Sequence, residues 1–124
     1  MAKTYEEFIR EAKTRIREIG PREARARYDA DDGCLFLDVR EPNEVADGTI
    51  PGALALPRGM LEGHALDTIP DLDWEIVVVC EKGNRSALAA DTLAIIGFTR
   101  VTSLAGGILR WTAEGHPLGA PRVL

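Results

Sequence analysis

The chain has 124 residues and a mass of 13.5 kDa, with 45% hydrophobic and 28% charged residues, a composition that indicates one folded domain. Twenty acidic residues against 15 basic ones give a net charge of −5, which argues against nucleic-acid binding because such proteins carry a basic face. No apolar run approaches the roughly 20 residues that cross a bilayer, and the N-terminus shows no signal or transit peptide, so we expect a cytoplasmic protein without membrane contact.

The first 30 residues predict two helices. Between residues 4 and 19, apolar side chains recur at spacings of three and four, as in an amphipathic helix. These apolar residues are Phe8, Ile9, Ala12, Ile16 and Ile19. Gly20-Pro21 ends this helix and begins a second one, which runs to the turn Asp31-Asp32-Gly33. We interpret residues 1–20 as an extension that packs on the edge of the domain; an oligomerisation or partner-docking helix is the alternative, which leaves both a monomer and a homodimer open.

From Cys34 onward, short strands and helices alternate. The predicted strands cover residues 34–39, 53–56, 75–79 and 99–103, of which the first three are mainly apolar. The predicted helical segments cover residues 41–45, 60–69, 86–96 and 108–114. This alternation predicts an α/β fold with a central, mostly parallel β-sheet covered by helices on both faces.

The chain has two cysteines, Cys34 and Cys80, and two histidines, His64 and His116. Their positions show no zinc-ligand spacing, so we expect neither a metal nor another cofactor. A domain of this size folds without disulfides, which favours free thiols in a reducing compartment; a Cys34–Cys80 disulfide is the alternative. Cys34 begins an early strand, where a cysteine is usually a small buried residue.

The candidate site follows the central predicted strand, because ligands of such sheets bind at the carboxyl ends of the strands. This segment reads Cys80-Glu81-Lys82-Gly83-Asn84-Arg85-Ser86. A cysteine between a strand and a helix faces backbone N–H groups and the positive end of a helix dipole, which favour the nucleophilic thiolate. Gly83 and Asn84 tolerate positive φ, so the loop can form a nest of amides, and Lys82 and Arg85 attract anions. The pattern predicts an anionic substrate that reacts with Cys80 Sγ; a buried structural cysteine is the alternative.

Four stretches of the sequence, in this order, resemble the signatures of single-domain rhodaneses, a family of sulfurtransferases. They are residues 35–44 (LFLDVREPNE), 48–53 (GTIPGA), 80–86 (CEKGNRS) and 104–111 (LAGGILRW) with 115–118 (GHPL). The resemblance implies a rhodanese-like domain over residues 21–120, after the N-terminal extension. In the last signature, Gly106 and Gly107 are expected to allow close backbone approach to the loop at Cys80, with Trp111 packed beneath.

The resemblance implies a two-step exchange at Cys80. The thiolate would take the outer sulfur of thiosulfate, or of a persulfide donor that could be a protein, and cyanide or another thiol would then accept this sulfur from the Cys80 persulfide. Loop amides would stabilise both anions, while Lys82 and Arg85 would orient the donor. The expected substrate-binding residues are Glu81, Lys82, Gly83, Asn84, Arg85 and Ser86. A covalent intermediate predicts ping-pong kinetics.

Loop length separates two branches of the family that this sequence resembles. Sulfurtransferases close the loop within six residues, as Cys80 to Arg85 does, whereas the related phosphatases and arsenate reductases use seven. Sulfur transfer is therefore favoured; a non-catalytic interaction module and a phosphatase or arsenate reductase are the alternatives. Two positions depart from the family pattern. Thr49 stands where histidine is usual, in a role we expect to be structural, and Glu81 places an acid beside the nucleophile, which we expect to weaken thiosulfate binding.

Three further residues are candidates for supporting the site. Asp38 and Arg40, together with Glu44, are candidates for a charge network beside it, but a local salt bridge is favoured. Arg58 follows the second predicted strand and is a candidate for the mouth of the pocket, but a solvated surface arginine is favoured.

Overall fold

Five strands and six helices are present in the computed structural model, which describes residues 1–122. The strands are β1 (Arg17–Ile19), β2 (Leu35–Asp38), β3 (Leu54–Ala55), β4 (Ile76–Val79) and β5 (Val101–Leu104). The helices are α1 (Tyr5–Arg15), α2 (Pro21–Ala30), α3 (Pro42–Ala46), α4 (Leu61–Thr68), α5 (Asn84–Ile96) and α6 (Gly107–Ala113). A short 3₁₀ turn, Arg58–Met60, precedes α4. Across residues 1–122, every helix is too short or too polar to cross a membrane.

The strands form one sheet in the order β1-β5-β4-β2-β3, and every strand pairing is parallel. The register places Asp38 of β2 beside Val79 of β4, and Val78 of β4 beside Ser103 of β5. The carboxyl ends of the three middle strands therefore meet at one edge of the sheet. The predicted α/β fold is confirmed, and the strand that precedes Cys80 is the central one.

Side chains of β4 alternate between two hydrophobic cores. Ile76, Val78 and Cys80 pack with α4 and α5 on one face, whereas Val77 and Val79 pack with α2 and α6 on the other. All four residues of the strand are fully buried. Burial on both faces explains why the strand is a continuous apolar run rather than an alternating one.

The N-terminal segment departs from the prediction of a single helix over residues 4–19. Thr4 and Glu7 form a reciprocal capping box that begins α1, but the helix ends at Arg15 and Ile16 is extended, with φ of −109°. Residues 17–19 form β1, which pairs with β5 at the edge of the sheet. The prediction is therefore wrong at its C-terminal end. The extension provides both a helix that packs on α5 and an edge strand.

The other predicted elements are confirmed with bounds that differ by at most two residues. Pro21 is the first residue of α2, as its fixed φ favours. In the central region, α5 begins at Asn84, two residues earlier than predicted, because Gly83 rather than Arg85 is the residue that precedes the helix.

Candidate active site

Cys80 lies at the carboxyl edge of the sheet, between the end of β4 and the start of α5. It is a free thiol and is 1% exposed. Gly83, the N-cap of α5, has φ of +98°, in the left-handed region that favours glycine. The positive φ predicted for Gly83 is thus confirmed, whereas Asn84 is the first helical residue and does not share it.

Three polar groups converge on the sulfur of Cys80. The backbone N–H groups of Gly83 and Ser86 donate to Sγ at 3.1 and 3.2 Å, and Ser86 Oγ lies 3.4 Å from it. One N–H group belongs to the N-cap of α5 and the other to its first turn, and the helix dipole adds a positive potential there. Donors in this arrangement stabilise a negative charge on sulfur, whether it is a thiolate or the product of sulfur addition.

Ser86 is itself held by a second buried serine. Its hydroxyl lies 2.8 Å from Ser103 Oγ at the end of β5, and both side chains are fully buried. Sequence reasoning missed Ser103. The available signal is that Ser103 lies near the carboxyl end of a predicted strand, the same edge of a parallel sheet at which Cys80 follows its own strand.

The start of α6 supports the back of the loop. The N–H groups of Ile108 and Leu109 donate to the carbonyl oxygens of Cys80 and Glu81 at 2.9 and 3.0 Å. Gly107 has φ of +59°, and a Cβ atom at this position would lie 2.5 Å from the Cys80 carbonyl oxygen. The predicted close approach is confirmed, and Trp111 is fully buried beneath it.

A small pocket of about 140 Å³ gives access to Cys80. Its lining residues are Tyr5, Cys80, Glu81, Lys82, Asn84 and Arg85. Four of the six predicted substrate-binding residues therefore lie at the pocket, while Gly83 and Ser86 contact the sulfur through their N–H groups. Tyr5 was missed by sequence reasoning, because it lies on α1, outside the stretches that resemble a known family.

Arg85 forms a bidentate ion pair with Glu44 of α3. The two nitrogen–oxygen distances are 2.7 and 2.8 Å. Its hydrogen bonds to Glu44 lower the pKa of that carboxyl to about 2, and the same bonds raise the pKa of Arg85. Since the charge of Arg85 is paired with Glu44, this residue ties the loop to α3. Lys82 is exposed and has no ion pair among residues 1–122, so it is the cation available to an anionic donor.

Asp38 and Arg40 form a local salt bridge rather than a network with Glu44. Arg40 binds both oxygens of Asp38 and donates to the Gly48 carbonyl oxygen at 2.7 Å. Thr49 Oγ1 donates to Asp38 at 2.7 Å and is fully buried, which matches the structural role expected for it. The favoured local salt bridge is therefore present between Asp38 and Arg40. Glu44 makes its hydrogen bonds to Arg85, and Arg40 affects it only through a longer-range charge interaction.

Arg58 does not line the pocket at Cys80. Its guanidinium donates to Thr92 Oγ1 of α5 at 3.0 Å and lies 3.4 Å from Glu62 of α4. The candidate role of Arg58 at the pocket mouth is therefore wrong. The residue instead joins the turn before α4 to α5.

The two cysteines lie at opposite ends of the sheet. Leu35 is beside Ile76 and Asp38 is beside Val79, so Cys34 precedes the paired region and Cys80 follows it. Their levels along the strands differ by five residues, or about 16 Å, whereas the Cα atoms of a disulfide lie about 4.4–6.8 Å apart. The alternative of a Cys34–Cys80 disulfide is therefore wrong. Within residues 1–122, no three His, Cys, Asp or Glu side chains gather in a way that could hold a metal ion.

The rhodanese-like domain family matches residues 21–114, which include Cys80, its loop and the glycines that support it. The chain belongs to the rhodanese-like family. The match begins at the first residue of α2, so α1 and β1 precede it.

Two relatives of this rhodanese-like chain have names that state an activity. It is 40% identical over 87 residues to a sulfurtransferase of Allochromatium vinosum, a match that covers 70% of this chain and 79% of the relative. It is 41% identical over 81 residues to the thiosulfate sulfurtransferase GlpE of Ectopseudomonas mendocina, covering 65% of this chain and 72% of the relative. These similarities support a sulfurtransferase of the rhodanese type.

A solved structure matches nearly the whole rhodanese-like chain. It is that of a Rhodopseudomonas palustris protein of unknown function, described as a possible tyrosine phosphatase. The TM-score is 0.87 at 30% identity, and the match covers 96% of each chain. Coverage this high includes most of α1 and β1, so an N-terminal extension of this kind occurs in that protein as well.

Proposed function

We propose that this chain transfers a sulfane sulfur from thiosulfate or a persulfide donor to cyanide or a thiol acceptor, through a persulfide on Cys80. One observation carries the proposal: the N–H groups of Gly83 and Ser86, at the N-terminus of α5, donate to the Sγ of a cysteine that lines a small pocket. A buried structural thiol needs no such donors, whereas a sulfur that carries negative charge in both states of a reaction does.

In the first step, the Cys80 thiolate attacks the outer sulfur of thiosulfate. A bond forms between Sγ and that sulfur while the sulfur–sulfur bond of the donor breaks, and sulfite leaves with the electron pair. Lys82 provides the positive charge that attracts the donor dianion, because Arg85 is already paired with Glu44. The attack by a thiolate involves no proton transfer, so this step uses no general base.

In the second step, a nucleophilic acceptor attacks the outer sulfur of the Cys80 persulfide. Cyanide leaves as thiocyanate, and a thiolate leaves as a new persulfide. The bond between the two sulfurs on Cys80 breaks, and its electron pair restores the thiolate that Gly83 and Ser86 stabilise. Because the first product leaves before the acceptor reacts, the kinetics are ping-pong.

The charges at the pocket disfavour a dianionic donor such as thiosulfate. Glu81 lines the same pocket as Lys82, so one negative charge opposes one available positive charge. We expect weak binding of the thiosulfate dianion, and we include a persulfide, small or protein-bound, as a donor. The two cysteines of the chain are free thiols, and we propose a reducing compartment such as the cytoplasm as its location.

The test is the intact mass of the protein after incubation with thiosulfate, removal of excess reagent and then addition of cyanide. Native protein should gain one sulfur atom and lose it with cyanide. Cys80→Ser should gain none, whereas the matched control Cys34→Ser should behave as native protein does. Retention of sulfur loading in Cys80→Ser would overturn the proposal. A lack of loading on folded, reduced native protein with both thiosulfate and a persulfide donor would also overturn it.

A phosphatase is the second candidate, because the Rhodopseudomonas palustris protein is described as a possible tyrosine phosphatase. An arginine that binds a phosphate dianion stabilises it with N–H donors and with positive charge. In this chain the positive charge of Arg85 is paired with the carboxylate of Glu44. We therefore expect no hydrolysis of an aryl phosphate; turnover that disappears in Cys80→Ser would favour the phosphatase.

A further inference from the structure

A groove continues from the Cys80 pocket along α1. It has a volume of about 370 Å³, and its lining residues are Tyr5, Glu6, Ile9, Arg10, Lys13 and Asn84. Tyr5 and Asn84 also line the pocket at Cys80, so the two cavities share a wall and adjoin each other. A molecule in the groove can therefore reach toward Cys80 Sγ with one end.

The groove follows α1, because five of its six lining residues belong to that helix. Tyr5 lies at the Cys80 end and Lys13 at the far end, eight residues later, which is about 12 Å along a helix axis. Ile9 is 8% exposed and forms an apolar part of the wall. The aliphatic stems of Arg10 and Lys13 extend this apolar surface while their charged groups remain in water.

The two ends of the groove differ in charge. Its acidic residue, Glu6, is next to Tyr5 at the Cys80 end, whereas Arg10 and Lys13 lie toward the far end. Arg10 has no ion pair among residues 1–122, and Lys13 approaches Glu18 only at 3.7 Å. The far end therefore offers positive charge to an anionic group, at a distance from Cys80 that an extended alkyl chain can span.

We infer that this groove binds the acceptor of the sulfur, an alkyl thiol with a carboxylate at the end opposite its sulfur. The alkyl chain lies along Ile9 and the ring of Tyr5, and the carboxylate lies near Arg10 and Lys13. The thiolate attacks the outer sulfur of the Cys80 persulfide, a persulfide of the alkyl thiol leaves, and the Cys80 thiolate is restored. This inference rests on the proposed function, since it concerns the second step of the same reaction.

The experiment measures the second step alone. Native protein is loaded with thiosulfate, freed of excess donor and mixed with mercaptopropionate, mercaptohexanoate or mercaptooctanoate, and the loss of sulfur from Cys80 is followed by intact mass after rapid quenching. Each added methylene should raise the second-order rate constant about twofold, because a methylene in a surface groove gains about half the free energy of full burial. Across the series this amounts to an increase on the order of 30-fold. Equal rate constants across the series would overturn the inference.

Two aromatic residues on α1 provide a matched pair of variants. Tyr5 and Phe8 are 52% and 50% exposed, but only Tyr5 lines the groove and the Cys80 pocket. Tyr5→Ala should flatten the dependence on chain length, and Phe8→Ala should retain it. The same dependence in both variants would contradict the assignment of the groove.

A second matched pair tests the carboxylate. Arg10 lines the groove, whereas Arg22 lies on α2, on the opposite face of the sheet. Native protein should prefer mercaptooctanoate over mercaptooctanol by about threefold, the size of an exposed charge interaction. Arg10→Gln should lose this preference and Arg22→Gln should keep it; the opposite result would place the carboxylate elsewhere.

Failure of the inference can be told apart from failure of the proposed function. If native protein never gains sulfur from a donor, the proposed function is wrong. If it gains sulfur and passes it to every thiol at the same rate, the proposed function stands and the acceptor groove on α1 is wrong.

Discussion

The two cysteines show how one side chain takes on different chemistry at the two ends of a sheet. At the carboxyl end, Cys80 accepts hydrogen bonds from two N–H groups at the N-terminus of α5. At the amino end, half-buried Cys34 lies near Glu75. Burial and the negative charge of Glu75 raise the pKa of Cys34 to about 11, against the opposing effect of Arg27. Cys34 is therefore a neutral thiol at pH 7, and its local environment disfavours the nucleophilic form.

The more reactive environment of Cys80 does not come with a larger cavity. The cavity beside Cys34 has a volume of about 460 Å³, whereas the pocket at Cys80 has about 140 Å³. Backbone N–H groups that point into a cavity occur where a helix begins after a strand, which is the carboxyl edge of a parallel sheet. The hydrogen-bond donors around the sulfur, and not the volume of the neighbouring cavity, therefore distinguish Cys80 as the candidate nucleophile.

The largest expected effect comes from glycines near the two cysteines. Gly107→Ala should destabilise the protein by about 3 kcal/mol, because it combines a strained positive φ with a clash against the carbonyls of the Cys80 loop. Gly33→Ala, beside Cys34, should cost about 1 kcal/mol, since Gly33 has φ of +92° but no atom within 4 Å of a Cβ. Urea unfolding measures both. Equal losses would show that the close approach of α6 to the loop contributes nothing.

The buried serine pair should matter less. Ser103→Ala removes the partner of Ser86 Oγ and should cost about 1.5 kcal/mol while slowing sulfur loading by roughly fivefold, because the Ser86 hydroxyl loses its fixed orientation. Thr102→Ala is the control on the same strand, as its hydroxyl makes one long hydrogen bond, of 3.5 Å, to Ile76. A slower rate of sulfur loading would show that Ser103 positions the Ser86 hydroxyl and does not only stabilise the fold. An unchanged loading rate in Ser103→Ala would limit Ser103 to a structural role.

The ion pair between Glu44 and Arg85 should make stability depend on pH in acid. The folded pKa of Glu44, about 2, lies below its ordinary value of 4.5, so the pair stabilises the protein above pH 4.5 and this stabilisation is lost as pH falls toward 2. After allowance for solvent exposure, Glu44→Gln should cost about 1 kcal/mol at pH 7 and less at pH 3.

Urea unfolding at the two pH values measures this difference for Glu44→Gln. Glu62→Gln is the matched control, because Glu62 forms an exposed pair with Arg58 at 3.4 Å. A loss of stability in Glu44→Gln that is the same at pH 7 and pH 3 would show that the ion pair does not anchor the loop.

The smallest expected effect is a change in the pKa of Cys34, at the amino end of the sheet. Glu75→Gln should lower the pKa of Cys34 from about 11, because a negative charge that disfavours the thiolate is removed. The pKa should stay above the ordinary value of 9.0, since burial is the larger cause. The rate of Cys34 alkylation as a function of pH, in a Cys80→Ser background, measures this. A pKa that rises would mean that Glu75 acts mainly by placing Arg27.

Most of the fold could be predicted from sequence because each strand and helix after Cys34 is marked by its own composition. The strand β1 could not. Its three residues, Arg17–Ile19, bury only Ile19, and Ile19 also continues the helical spacing of Ile9, Ala12 and Ile16. Residues 17–19 are a strand because β5 pairs with them, a contact more than 80 residues away that no local pattern shows.

The candidate site also has features that the sequence predicts and features that it does not. The position of Cys80 and the positive φ of Gly83 follow from the strand, glycine and helix that are adjacent in sequence. The pairing of Arg85 with Glu44, the approach of Tyr5 to the pocket and the contact of Ser103 with Ser86 depend on how separate elements pack. These three contacts determine which cation is available, what lines the pocket and how the hydroxyl is oriented.

The most direct measurement locates the sulfur within the native protein. The protein is treated with thiosulfate, its persulfide and thiols are blocked by alkylation at pH 7, and the peptides that contain Cys34 and Cys80 are analysed by mass after digestion. We predict that the additional sulfur is found on the Cys80 peptide and not on the Cys34 peptide. Additional sulfur on Cys34, or equal amounts on both, would contradict the conclusion that the donors at the carboxyl end of the sheet select the reactive cysteine.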